Sequence, residues 1–294
     1  GPPGTGGSTP SPGDPVGASR CSGRSSSCGS AGSIDPATLS FMTMALITGA
    51  SSGLGAEYAR QLAASGSGIV LVARDAAALE TVATELRDAH GVEVEVLAAD
   101  LLNPDDCARV EARLADLDRP VDTLVNNAGY GMPLAFERNK IDDEVRHLRL
   151  HDEVPMRLMH AALGSMIANG RGRILNMASV GAFIPRSTYS AAKAWIISFS
   201  RWANTEYRAR GITVTAVCPG YTHTSFHERL GLPPGKEGVP DWMWLQAPDV
   251  IRESLRDADR GKPLSIPSFR YKTIVALTKV LPPSFAKKIG ARGR

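Results

Sequence analysis

Tyr189 and Lys193 stand four residues apart in the run Tyr-Ser-Ala-Ala-Lys. On a helix that spacing puts a phenol and an ammonium on one face, within reach of each other. Such a pair could make a proton donor. A free tyrosine ionises near pH 10, and bringing it to neutrality takes about 4 kcal/mol of preferential stabilisation of the phenolate. An adjacent ammonium supplies part of that. The same spacing also arises where a lysine stem lies along a core tyrosine and only its head reaches water. Ser179, ten residues before the tyrosine at the end of an apolar run, could hydrogen-bond a carbonyl oxygen and hold it beside the phenol.

A second group of residues could hold a ligand rather than react with one. Thr48-Gly49-Ala50-Ser51-Ser52-Gly53-Leu54-Gly55 lies between the apolar run Met44 to Ile47 and the helical segment Ala56 to Ser65. A backbone without Cβ approaches a pyrophosphate closely, and the free N–H groups of a first helical turn point at its charge. The turn therefore reads as a dinucleotide cradle, although glycine-rich turns also cap helices with no ligand present.

The segments around these residues must position them. A continuous apolar run at 69–73 and strand-like segments at 92–98, 121–125, 173–177 and 212–217 alternate with helical spacing at 76–90, 107–117, 141–169 and 189–210. Pro155 is expected to bend the long third helix, and Ser265-Ile266 to add a short edge strand. This alternation predicts one Rossmann-type α/β domain. Its doubly wound parallel sheet has six to seven strands, with helices on both faces. Ligands of such sheets lie beyond the carboxyl ends of the strands, where Arg74, Asp100, Asn126, Ser179 and Pro219 all fall.

In this order, Thr48-Gly-x-x-x-Gly-x-Gly55, Asn126-Asn-Ala-Gly129, Ser179, Tyr189-x-x-x-Lys193 and Pro219-Gly220 resemble the short-chain dehydrogenase/reductase family. The resemblance runs over roughly residues 44–225 and implies NAD(P)-dependent oxidation or reduction at a carbonyl or alcohol carbon. It makes Tyr189 the general acid in reduction and Ser179 the group that orients the substrate oxygen. It makes Lys193 bind the nicotinamide ribose and, with the cationic ring, lower the phenol pKa. By the same resemblance Gly49, Ser51, Ser52, Gly53, Leu54 and Gly55 cradle the cofactor. Asp100 and Leu101 flank the adenine, and Asn127, Ala128 and Gly129 line the cofactor. Pro219, Gly220, Thr222 and Thr224 meet the carboxamide end of the nicotinamide. Family members pair through the helices that bear residues 151 and 189 here, which implies a homodimer or homotetramer.

One position departs from the family. Aligned on the helix leading to Arg157 and His160, the usual asparagine is His151. A histidine donates, accepts and titrates near neutrality, so it is expected either to serve the same proton relay with a steep pH dependence or to be a tolerated replacement. Cofactor choice turns on the end of the second strand, where an acid would bind a ribose 2′-hydroxyl. Arg74 stands there. Its guanidinium can hold a phosphate by paired hydrogen bonds, so NADP(H) is the expected cofactor, with NAD(H) possible. Asp75 beside it leaves open a solvated arginine at a strand end.

Composition narrows the rest. The 294 residues are 43% hydrophobic and 21% charged, which suits one large domain. The net charge of +3 comes from the last 25 residues, which hold seven Lys or Arg and no acid. The remainder is slightly acidic, and no nucleic-acid surface is expected. His147 and His151 lack an acidic third ligand, so no metal is expected. Cys21, Cys28, Cys107 and Cys218 form no Cys-x-x-Cys pair, and a reducing cytoplasm is the simplest reading. No apolar run reaches the roughly 18 residues that span a bilayer.

Residues 1–41, rich in Gly, Pro and Ser, are expected to be a disordered and possibly non-native tail. Between about 222 and 248, Phe226, Leu230, Leu232, Trp242, Met243, Trp244 and Leu245 form an apolar insertion. It reads either as a lid over an apolar substrate or as ordinary core. Residues 270–281 read as a basic amphipathic helix with apolar positions 271, 274, 277 and 281. Docking on the domain is its first expected use, ahead of a subunit interface or an anionic membrane surface. An NADPH-dependent carbonyl reductase is the leading expectation. A weakly catalytic NADP(H) sensor of the same fold is the alternative.

Overall fold

The structure is a computed structural model, and it describes residues 43–132, 136–224 and 239–278. The expected tail over 1–41 lies outside them, as do residues 225–238 of the expected lid. The apolar runs form seven strands: β1 Met44–Thr48, β2 Gly68–Ala73, β3 Val94–Ala98, β4 Thr123–Asn126, β5 Gly172–Met177, β6 Ile212–Val217 and β7 Leu264–Ser265. They pair in the order β3-β2-β1-β4-β5-β6-β7, parallel throughout. The order reverses between β1 and β4, and the glycine turn leaves the sheet at that switch point.

Strands covered on both faces must be apolar at every position, and β1 and β2 show how the two faces are shared. In register, Ala45 and Ile47 with Ile69 and Leu71 enter one core, with Tyr58, Leu62 and Leu79. Met44 and Leu46 with Val70 and Val72 enter the other, with Val110, Leu158 and Met166. Helices α1 Gly53–Ala64, α2 Ala76–His90 and α7 Ala247–Asp259 supply the first face. Helices α3 Pro104–Ala115, α5 Val154–Ala168 and α6 Thr188–Tyr207 supply the second. Local chemistry sets their ends. Asp75 caps α2 through the Ala78 amide, and Gly91 closes it in the left-handed region. Asn103 caps α3 ahead of Pro104.

The long helix expected over 141–169 is corrected. It divides into α4 Ile141–Leu148, a π turn Arg149–Glu153 and α5. Pro155 has no N–H to return to the carbonyl of His151, and the widened turn occupies that interval, so the break falls at His151 rather than at the proline. Strand ends also differ by one or two residues from expectation, β3 starting at Val94 and β4 at Thr123. The last described element, α8 Phe269–Thr278, buries Tyr271 and Val275 and exposes Leu277. Ile274 also packs against the core, so the expected positions 271 and 274 face inward and 277 does not, while position 281 lies outside the described residues. Among the described residues no helix is long and apolar enough to cross a membrane.

Candidate active site

Thr48, at the end of β1, is buried and uses its hydroxyl three ways. It accepts from the amides of Asn127 at 2.9 Å and Ala128 at 3.0 Å, and it donates to the Val125 carbonyl at 3.3 Å. The Asn127 amide group returns a bond to the Thr48 carbonyl at 3.0 Å. The ends of β1 and β4 are thereby stapled, which fixes the glycine turn against Asn127-Ala128-Gly129. Gly49 has φ +67°, and a Cβ there would meet Asn127 and Ala128 at 2.9–3.2 Å. A Cβ on Gly55 would lie 2.2 Å from the Gly49 carbonyl oxygen. This turn accepts no side chains at those positions, and the first amides of α1 have no intrahelical acceptor. It is a cradle with the shape and polarity that a pyrophosphate fits.

Around the cradle the other expected residues converge. Arg74 is exposed at the end of β2, and Asp75 has turned its carboxylate to the cap of α2 instead of to the arginine. Asp100 closes a turn through the Leu102 amide, and Leu101 is buried beside it. After β6, Val180 donates to the Pro219 carbonyl at 3.1 Å, and the Thr222 hydroxyl donates to that of Gly220 at 3.0 Å. A Cβ on Gly53, whose φ is +58°, would approach Thr224 to 3.4 Å, so this loop reaches back to the first turn of α1 beside Ser51, Ser52 and Leu54.

Ser179 follows β5 and caps a 3-10 turn, Val180–Phe183, by accepting from the Gly181 amide at 3.0 Å. Its hydroxyl and the Tyr189 ring both border Gly181, where a Cβ would meet them at 3.3 and 3.8 Å. Lys193, one turn on in α6, is buried, and its Nζ donates to the Met177 carbonyl at 2.5 Å while lying 5.9 Å from the Tyr189 ring centre. Burial lowers its pKa to about 8, against the opposing pull of the Asp152 carboxylate. Burial pushes the Tyr189 phenol up from 10, and the neighbouring Ser179 side chain offsets only part of that. The lysine of this pair is drawn toward the end of β5, and its charge does not by itself make the phenol acidic.

His151 sits in the π turn against Gly129, where a Cβ would come within 2.6 Å of its ring. Its Nε2 lies 2.9 Å from the Tyr130 carbonyl oxygen, to which it donates when protonated, and 3.2 Å from the Tyr130 amide, from which it accepts when not. Nδ1 is buried without a partner among the described residues. His147, one turn earlier on α4, stacks on it at 4.1 Å, and both rings lie within 6 Å of the Tyr189 ring. Burial, then the charge of Lys193, push His151 well below 6.5, and the same two causes bring His147 to about 4. The expectation that His151 titrates near neutrality is therefore corrected, because a cation there would be desolvated beside a lysine.

The group that does titrate near neutrality was not singled out in the sequence. Asp152 is buried, its Oδ1 has no hydrogen-bond partner, and burial raises its pKa to about 7 despite Lys193. Cys107 and Cys218 are free and buried. Among the described residues, no group of three His, Cys, Asp or Glu side chains is arranged to hold a metal.

Comparison with known proteins agrees with this geometry. The short chain dehydrogenase family matches residues 43–233. A 3-oxoacyl-[acyl-carrier-protein] reductase of Synechocystis sp. is 33% identical over 211 residues, which are 70% of this chain and 85% of the relative. A short-chain dehydrogenase from Sphingobium yanoikuyae, solved in complex with NADPH, superposes with a TM-score of 0.74 at 35% identity, over 81% of this chain and 94% of the other. A bulky-bulky ketone specific alcohol dehydrogenase from Comamonas testosteroni gives 0.70 at 32% identity, over 81% and 92%. The chain belongs to the short-chain dehydrogenase/reductase family of oxidoreductases.

Proposed function

We propose that the chain is an NADPH-dependent reductase that interconverts a carbonyl and a secondary alcohol on an apolar substrate. The observation that carries this reading is the placing of the Ser179 hydroxyl and the Tyr189 ring together at Gly181, where a Cβ would meet them at 3.3 and 3.8 Å, with the Lys193 ammonium 5.9 Å from the centre of the same ring. When bound, the nicotinamide cofactor supplies the hydride. Ser179 holds the substrate oxygen, and Tyr189 gives that oxygen a proton as the carbon is reduced. Lys193 would hold the ribose and lend its positive charge to the phenol beside it. Gly49 to Gly55 seat the pyrophosphate, Arg74 the 2′-phosphate, Asp100 and Leu101 the adenine. Asn127 to Gly129 and the loop Pro219, Gly220, Thr222 and Thr224 enclose the rest.

The names of the relatives support a ketone or 3-oxoacyl thioester as substrate. Trp244, stacked on His223 at 4.7 Å beside the loop, supplies an apolar aromatic surface for such a molecule. A homodimer or homotetramer in the cytoplasm completes the reading. Trp195, Phe199 and Trp202 stack along the outer face of α6, and both tryptophans are exposed. Sedimentation of the purified protein is expected to give the mass of two or four chains.

A weakly catalytic NADP(H) sensor is the second reading, favoured by the raised phenol and the neutral His151. Cofactor oxidation with a panel of 3-oxoacyl thioesters and bulky aryl ketones separates the two. Turnover with NADPH above that with NADH supports the reductase. Tight NADPH binding with no turnover on any carbonyl supports the sensor.

A further inference from the structure

Tyr271 is the buried anchor of α8. Only 2% of its surface is exposed, although Phe269 and Leu277 on the same helix stand in solvent. Its phenol oxygen accepts from the Tyr221 amide at 3.1 Å and donates to the Met243 carbonyl at 2.7 Å. Burial pushes its pKa up to about 12, so the phenol remains a donor throughout the working range. The ring lies against the backbone of Gly220, where a Cβ would come within 2.0 Å of Cζ. Glycine at 220 is what lets the ring and the loop approach this closely. Core filling alone would need a ring here but neither hydrogen bond.

The backbone that Tyr271 holds is the loop after β6. Pro219 accepts from Val180, the residue after Ser179, at 3.1 Å. Beyond Tyr221, the His223 amide donates to the Leu245 carbonyl at 3.0 Å, and the Leu245 amide to that of Tyr221 at 2.8 Å. The phenol joins the two flanks of this crossing, Tyr221 on one side and Met243 on the other. The helix α8 also packs beside the turn Val180–Phe183, so one element touches the backbone next to Ser179 and the backbone of the loop.

We propose that Tyr271 is a positioning residue for the nicotinamide half of the cofactor, acting from α8 through the backbone of Gly220 to Thr222. The inference rests on the NADP(H) reading above and adds a residue that lies beyond the span of the family match. Its position is set by two backbone bonds and a ring contact with glycine, none of which touches the adenine side of the cradle. Loss of those bonds should therefore loosen one half of the cofactor and spare the other.

Tyr271→Phe keeps the ring and removes both hydrogen bonds. Fluorescence titration compares NADPH with adenosine 2′,5′-bisphosphate, which carries the adenine half and the phosphate that Arg74 would hold but no nicotinamide. The variant is expected to bind NADPH about tenfold more weakly, the scale of one hydrogen bond's ordering, with KM for NADPH rising in step. Its affinity for the bisphosphate is expected to match the wild-type value. Equal weakening of both ligands, or of neither, overturns the proposal. Wild-type protein that binds neither ligand overturns the cofactor reading and the proposal with it. Hydrogen exchange on the wild-type protein is a second test that needs no variant. NADPH should slow exchange of the Tyr221 amide while the bisphosphate leaves it unchanged, and equal protection by both would contradict the proposal.

Discussion

At the scale of single residues, the site is governed by what burial does to charge. Asp152 and Lys193 both lie in the interior and are moved toward neutrality in opposite senses, the acid up to about 7 and the base down to about 8. The folded protein holds a proton on Asp152 more tightly than the unfolded chain does. Its contribution to stability is therefore full below about pH 4 and is lost as pH rises through about 7. Asp152→Asn should remove that slope and make the protein more stable than wild type at pH 8, on the order of 2 kcal/mol once screening by Lys193 is allowed for. Urea denaturation of both proteins at pH 5 and pH 8 measures the difference. Equal slopes in the two proteins would place the titration elsewhere.

His151 gives the opposite expectation. Because burial and Lys193 hold its ring neutral, His151→Asn should change the level of kcat without moving either limb of the pH–rate profile between pH 6 and 9. A limb that shifted by a full pH unit would show that the imidazole titrates during turnover. The histidine was legible in the sequence as a departure from the family. Its neutral state was not, because it depends on Gly129, His147 and Lys193 arriving from three other segments.

At the scale of elements, the sequence reading succeeded where one local rule decided the outcome. Apolar patterning and helical spacing located the strands, β7 as a short edge strand, and the helices between them as far as α6, while α7 Ala247–Asp259, between β6 and β7, was not singled out. The reading failed where two segments compete. The region 141–169 has helical spacing throughout, yet the missing N–H of Pro155 and the packing of His151 on Gly129 widen one turn into a π segment. On α8 the expected positions 271 and 274 face the core, but Leu277 is exposed and Val275 is buried in its place.

The staple at Thr48 is an element-scale device that the residue pattern only hinted at. Its hydroxyl satisfies two amides of the Asn127 strand end while sitting 2% exposed. Thr48→Val keeps the shape and leaves both donors without a partner, at a cost of about 2–3 kcal/mol. Thermal unfolding should register that loss, and NADPH should bind more weakly because the cradle is no longer tied to β4. A variant as stable as wild type would mean that water replaces the hydroxyl.

At the scale of the whole molecule, seven parallel strands bring residues that are distant in sequence to one rim. The glycine turn from β1, Arg74 from β2, Asn127 from β4, Ser179 from β5 and the Pro219 loop from β6 all lie where their strands end. The order of motifs along the chain was readable because the fold requires that order. The coupling of α8 to the loop was not, since Tyr271 and Tyr221 are joined by bonds that span fifty positions.

The most direct measurement is the single-turnover rate of NADPH oxidation by Tyr189→Phe, with a ketone that the wild-type protein reduces, alongside the NADPH dissociation constant of the same variant. The account predicts that the rate falls by about 10²–10⁴, the range spanned by loss of a positioned general acid, while NADPH affinity stays within about threefold. A variant that turns over as fast as wild type with cofactor still bound would contradict it.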